Sequence, residues 1–248
     1  MAIWTTLGKP TSIALDRGLW EAAAVLGGLR KATNESIRSR ERDRGARGNM
    51  LNDLEGAVSE LAALKHITGI LPSGARVAHR LLSLAGPVDE SDMELIGPEL
   101  GIRLEVKGLL AEDRKKRFLI NCRAFERSKE RGANGYLPLI TSSGASTAYV
   151  GSVVDMREVE AWRVEDLGYG DPARSVPLGE FAAAHMGVAE DEMRRSLRRS
   201  EGSAARWNGD LARLFVKAEA ALCDLKRKGF SIDGMPLEQL VASLRAAV

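Results

Sequence analysis

The residues of this chain best placed to do chemistry lie in two short runs, Asp92-Met93-Glu94-Leu95-Ile96-Gly97 and Ile102-Arg103-Leu104-Glu105-Val106-Lys107. They read as adjacent strands that carry carboxylates and end in a Glu-x-Lys triplet. Side chains two apart in a strand share a face, so Glu105 and Lys107 point together into a cleft while Leu104 and Val106 enter the core. A hairpin turning at Gly97, Pro98 and Gly101 brings Asp92 back beside them. This is the minimal equipment for metal-dependent phosphodiester hydrolysis.

A D/E-x-K pattern is cheap in a chain with 28% charged residues, and it occurs at three places. Asp113-Arg114-Lys115 falls in a polar loop. Asp224-Leu225-Lys226 falls in a helical pattern, where residues two apart point in different directions. Only Glu105-Val106-Lys107 sits in a strand, with an acidic strand before it and Glu60 on a helix upstream.

The order of helix glutamate, strand aspartate, Glu-x-Lys on the next strand and then a helix resembles the PD-(D/E)xK nuclease superfamily. Within it, the run Glu55-Gly56-Ala57-Val58-Ser59-Glu60-Leu61-Ala62-Ala63 is similar to the helix that supplies an acidic residue to the site. The resemblance covers about residues 50 to 155 and implies a mixed sheet flanked by helices, with magnesium-dependent cleavage of DNA or, less often, RNA; manganese would substitute. Carried over, Asp92 and Glu105 bind the metal, Lys107 is the catalytic lysine and Glu60 assists metal or water. Ser91 stands where the family name records a proline, and Asp89 and Glu94 compete with Asp92 for its place. The helix after the triplet offers Asn121, Arg123 and Arg127 rather than the Gln-x-x-x-Tyr arrangement of some branches.

The chemistry agrees with the resemblance. Hard divalent cations prefer oxygen ligands, and magnesium keeps several waters, one of which can be the nucleophile. Two carboxylates and a backbone carbonyl, that of Val106, suffice to hold it. Lys107 would neutralise the attacked phosphate or orient the water.

The charge pattern suits a polyanionic partner although the formal net charge is only +2. Arg30, Lys31, Arg38, Arg40, Arg42, Arg44 and Arg47 face only Glu35, Glu41 and Asp43 in the first basic segment. Residues 112 to 131 are basic again, and Arg114, Lys115, Lys116, Arg117, Asn121 and Arg123 are the candidate nucleic-acid contacts beside the cleft. The acidic stretch from Asp89 to Glu105 lies between the two.

The elements that must position these residues are legible in outline. Leu19, Ala22, Ala23, Leu26 and Leu29 recur at helical spacing in a segment from about Leu15 to Arg47. A second helix, capped at Asn52 or Asp53, runs to Gly69 with Leu54, Ala57, Val58, Leu61 and Leu64 on one stripe. Val77 to Leu82 fits a short helix or an irregular connection. Phe118 to Ile120 is a strand, Asn121 to Gly132 a helix, Tyr136 to Thr141 a strand whose proline suggests an edge or a bulge, and Ala148 to Val154 a further strand.

The expected class is α/β, a mixed central sheet flanked by helices. It divides into an N-terminal helical segment over 1–48, a nuclease core over 49–157 and a mostly helical region over 158–248 that binds nucleic acid or dimerises. In that last region Leu178 to Leu197 has a helix-turn-helix outline, with Arg194, Arg195, Arg198 and Arg199 on its second helix. A DNA-binding regulator built on it, or a nuclease-like module that binds nucleic acid without cutting, are the alternatives to the enzyme.

At 248 residues the chain can bury a substantial core without staples. The two cysteines, Cys122 and Cys223, lack metal-ligand spacing and suit a reducing cytoplasm. No apolar run approaches the roughly twenty residues that cross a bilayer, so no membrane role is expected. The histidines His66, His79 and His185 show no ligand spacing, and the tryptophans read as packing residues. Cutting both strands of a duplex is simplest with two active sites, which makes a homodimer the expected assembly.

Overall fold

A computed structural model describes residues 2–38, 45–84, 92–98, 100–111, 116–166, 172–200 and 204–248. Along the chain come α1 (Ala2–Leu7), β1 (Thr11–Ala14), α2 (Arg17–Arg38), α3 (Gly45–Ile70), β2 (Arg76–His79), β3 (Met93–Gly97), β4 (Leu100–Leu110) and β5 (Arg117–Asn121). Then follow α4 (Cys122–Glu130), β6 (Gly135–Thr141), β7 (Thr147–Val150), β8 (Val154–Asp155), α5 (Met156–Ala161), β9 (Arg163–Glu165) and β10 (Ala173–Pro177). The chain ends with α6 (Leu178–Phe181), a π-helical turn (Ala182–Met186), α7 (Glu190–Ser200), α8 (Ala204–Arg227) and α9 (Leu237–Ala246).

A mixed sheet in the order β1-β7-β6-β4-β3-β2, with β8 also paired to β6, forms the centre. β2, β3 and β4 are antiparallel neighbours, and β4 then runs parallel to β6, with β5 and α4 in the connection between them. Parallel neighbours need a crossover of this kind, because a tight turn cannot reverse the chain twice. β5, β10 and β9 make a smaller antiparallel sheet.

Two apolar cores lie on the two faces of the main sheet. Alternation along β4 sends Ile102, Leu104, Val106 and Leu110 to one core, which is shared with α2, α3, α8 and α9. Leu109 goes to the other, with Phe118, Phe125, Tyr136, Phe181, Met193 and Leu197. There the Phe118 and Phe181 rings stack at 3.9 Å and Trp162 meets both edge-on. Trp20 is fully buried and its indole N–H donates to the Ala145 carbonyl at 2.8 Å, a packing role as expected.

Several elements differ from their sequence reading. The second helix begins at Gly45, so Asn52 and Asp53 lie inside it rather than capping it. Every residue from Ala57 to Leu64 is buried, because α3 is packed between the sheet and α2; the single apolar stripe was too narrow a description. Val77 to His79 belong to the edge strand β2, not to a helix or an irregular connection.

Pro138 lies in the central strand β6, not at an edge. Its carbonyl accepts from Gly151 N at 2.9 Å on the side facing β7 and β8, and its missing N–H falls on that same side. β8 pairs with Gly135 and Tyr136 and β7 with Leu139 and Ile140, so the proline occupies the gap where one partner strand hands over to the other.

Hydrogen bonding and packing cross both divisions read from the sequence. β1 pairs with β7, α2 packs on α3 and α8, and β10 pairs with β5 along five residues. No helix among the described residues is long and apolar enough to cross a membrane.

Candidate active site

The site forms where β3 ends and β4 continues. Met93 pairs with Leu104, the last rung of that ladder among the described residues, and beyond it no described strand pairs with β4 on that side. Side-chain carboxylates take the place of the strand. Asp92 Oδ2 accepts from Val106 N at 2.7 Å, and Glu55 Oε2, from α3, accepts from Leu110 N at 3.0 Å. α3 approaches this edge closely, because Gly108 has no side chain and Ser59 occupies the space a Cβ would need.

Asp92 stands opposite Glu105 in the extended register, and Glu60 reaches in from α3. Burial pushes the Asp92 carboxyl well above the usual carboxylate range, and the charges of Glu60 and Glu105 push it further. The Val106 N–H and the Arg30 guanidinium pull the other way without winning. Three carboxylates from three elements thus meet within electrostatic reach.

Glu105 and Lys107 share the β4 face that Leu109 continues, both partly buried, and the Glu105 Oε1 atom is shielded from solvent. Beside Glu105 in the parallel register lies Tyr136, whose phenol is pushed up to about 12 by burial, with the Glu105 and Asp92 charges adding to the shift and Ser128 opposing it.

Of the three acids that compete for the first-strand position, Asp92 is the one that lies beside Glu105 among the described residues. Glu94 makes a surface ion pair with Arg103 at 3.3 Å, and Asp89 lies outside the described residues. Of the other two triplets, Asp224 pairs with Arg227 and Lys228 on an exposed face of α8, and residues 113–115 are outside the description.

The candidate nucleic-acid contacts fare unevenly. Arg114 and Lys115 lie outside the described residues. Lys116 and Arg123 are exposed. Arg117 is turned to the small sheet, its Nε within 3.0 Å of both Ser175 Oγ and Glu165 Oε2. Asn121 caps α4, its Oδ1 accepting from Ala124 N at 3.2 Å. In the helix-turn-helix segment, α6 is a four-residue helix buried in the second core, and Arg194 donates to Glu190 and to the Ala111 carbonyl. Arg195, Arg198 and Arg199 remain exposed.

Sequence reasoning counted Arg30 in the basic segment suited to a polyanion and Glu55 in the acidic helix run, and gave neither a place in the site; Arg30 instead engages Glu60. Arg30 follows Leu26 by one helical turn on the buried stripe of α2, and a charge at such a position was the available signal. It donates from Nη1 to Glu60 Oε1 at 2.8 Å, from Nη2 to Glu60 Oε2, and from Nε to the Leu81 carbonyl at 2.7 Å.

A magnesium ion fits the donor chemistry here. Asp92 and Glu105 repel each other in a buried setting, and a divalent cation would relieve that repulsion. The Val106 carbonyl leaves the strand on the same side as the N–H that Asp92 accepts from, toward Asp92. Among the described residues no group of three or more His, Cys, Asp or Glu is placed to hold a metal ion. No protein-family model, curated protein or solved structure matches this chain.

Proposed function

We propose that the protein is a magnesium-dependent nuclease that hydrolyses phosphodiester bonds of DNA as an endonuclease, on a restriction-endonuclease-like core. The observation that supports this best is the meeting of Asp92 and Glu105 at the end of the β3–β4 ladder, with Lys107 on the same strand face. The chain order supports it too: the helix α3 bearing Glu60, Asp92 just before β3, Glu105 and Lys107 on β4 and then the helix α4 follow the order of the PD-(D/E)xK resemblance, with β2 and β5 as additional strands.

Asp92, Glu105 and the Val106 carbonyl would hold the ion, which supplies an activated water and offsets charge on the leaving oxygen. Lys107 places a positive charge where the attacked phosphate gains negative charge, and that charge counts for more in a partly buried site than in water. Lys116 and Arg123, both exposed, are the candidates among the described residues for contact with the flanking phosphates. The engagement of both Glu60 oxygens by Arg30 also suits a second reading, a nuclease-like module that binds nucleic acid without cutting.

The test is incubation with plasmid, linear and single-stranded DNA, and with RNA, in magnesium, manganese or chelator. The expected outcome is metal-dependent cleavage by the wild type and a loss of about 100-fold or more in Glu105→Ala and Lys107→Ala. Cleavage that survives both substitutions overturns the site, and duplex binding without cleavage in either metal favours the binding module.

A further inference from the structure

A second set of reactive side chains lies outside β3 and β4, around the loop that joins β7 to β8. Ser152 Oγ stands 3.1 Å from His185 Nδ1, and His185 Nε2 stands 2.6 Å from Glu158 Oε1. A hydroxyl, an imidazole and a carboxylate, each within hydrogen-bond reach of the next, make an activated nucleophile: the base takes the hydroxyl proton and the third group orients the base. A carboxylate only accepts, so Nε2 carries the ring proton and the Nδ1 of the neutral ring accepts from the Ser152 hydroxyl. The two nitrogens exchange the places they have in the usual serine triad, and their roles follow from which of them holds the proton.

The loop is held as a nucleophile must be. Its consecutive N–H groups all donate inward, Gly151 to the Pro138 carbonyl at 2.9 Å, Ser152 to the His185 carbonyl at 2.8 Å and Val153 to the Leu7 carbonyl at 2.9 Å. Gly151 permits the close approach, because a Cβ there would stand 2.6 Å from Met186 Sδ and 3.0 Å from the His185 carbonyl. His185 is buried in the π-helical turn, with the Phe181 ring 4.9 Å away to fix its plane, and π-helical turns recur at functional sites. Ser152 is half-buried and the Glu158 side chain is 45% exposed, so the row of groups opens to solvent at the Glu158 end.

The same inward bonds set the class of substrate. The N–H groups of Ser152 and Val153 are committed to carbonyls, so neither can stabilise the oxyanion that forms when a carbonyl is attacked. The donor must therefore carry a good leaving group, as a thioester or an aryl ester does and an amide does not.

We propose that Ser152 is a nucleophile that accepts an acyl group from an activated thioester or aryl ester, with His185 as its base and Glu158 as the positioning residue that holds the ring. The bond from Ser152 Oγ to the acyl carbon forms as the carbon–sulfur or carbon–oxygen bond of the donor breaks, and the hydroxyl proton passes to Nδ1 and on to the leaving thiolate or aryloxide. Water releases the acyl group by the reverse route, giving a proton to Nδ1, which returns it to Oγ. This proposal is independent of the nuclease reading.

The test is treatment of the full-length protein with para-nitrophenyl acetate in chelator, with nitrophenolate read by absorbance, the acetyl group located by peptide mass spectrometry and folding checked by circular dichroism. The expected result is acetylation of Ser152 with a burst of about one nitrophenolate per chain, absent in Ser152→Ala. The rate should fall about 100-fold or more in His185→Gln and about tenfold or more in Glu158→Gln. A second measurement leaves the buried His185 in place. Ser152→Cys should be alkylated by iodoacetamide at that position about tenfold or more faster than the exposed Cys223, and adding Glu158→Gln should remove the lead.

No acetyl group on Ser152 overturns the proposal, as does acetylation there at the wild-type rate in folded His185→Gln and Glu158→Gln. Alkylation of Ser152→Cys no faster than that of Cys223 reduces the three side chains to a structural clasp and overturns it as well.

Discussion

Asp92 carries the largest electrostatic tension in the site: it accepts a backbone hydrogen bond that favours its charged form, yet burial and two acidic neighbours hold its pKa above normal. A group whose pKa is higher folded than unfolded binds protons more tightly in the folded state. Its contribution to stability is therefore fully present below the ordinary aspartate range and is lost as pH rises through the raised value. In chelator, Asp92→Asn should raise the melting temperature at neutral pH and above, and the gain should vanish below the ordinary aspartate range; thermal melts across that pH range check it. A gain of equal size at every pH would show that the charge is not the cause. At this scale the placing of Asp92 beside Glu105, with Lys107 on the same strand face as Glu105, was legible, because the strand period and a short hairpin fix which side chains share a face. The places of Arg30 and Glu55 were not, since they depend on which helix packs against β4. His185 was equally out of reach: it sits 3.1 Å from Ser152 Oγ through Nδ1 and 2.6 Å from Glu158 Oε1 through Nε2, partners 33 and 27 residues away.

The contact that matters most between elements is α3 against β4. Gly108 and Ser59 meet with no space between them, and a Cβ at 108 would also stand 3.0 Å from the Glu55 carbonyl. Gly108→Ala should therefore force α3 away from the strand and cost about 1–3 kcal/mol, measured by urea denaturation. Because the same movement would draw Glu55 and Glu60 away from β4, the proposed nuclease activity should fall as well, and unchanged stability would contradict the close fit. Helices α2 and α3 and strands β3 and β4 could be read from periodicity and turn residues. β2 could not, because its four residues alternate little and His79, buried with Nε2 2.9 Å from the Met235 carbonyl, looks like a surface residue in sequence. Pro138 misled for a related reason: a proline excludes a ladder bond on one side only, and the hand-over from β8 to β7 removes the need for it there.

For the molecule as a whole, the N- and C-terminal helices close the first core together. α2 and α8 cross at Gly28, where an added Cβ would collide with the Phe215 carbonyl and stand 2.9 Å from Ala218 Cβ. Gly28→Ala should cost about 1–3 kcal/mol and lower the melting temperature by several degrees, because backbone leaves the intruding methyl no flexible neighbour to displace. A neutral result would mean that α8 is not seated on α2 as described. The divisions at 48 and 157 were drawn where composition changes, and composition is blind to pairing between distant segments such as β1 with β7 and β5 with β10. The short outer strands of the main sheet bear on the homodimer that the proposed cutting of both strands of a duplex would call for. β1 and β2 are the two outermost strands, each four residues long, and β1 is mostly exposed. A ladder that short gives a second copy few backbone groups to grip, and edges of this kind resist growth into larger aggregates. Two copies brought together on one duplex would have to recognise each other through side chains on helical faces, leaving each sheet, and each cluster of carboxylates within it, intact.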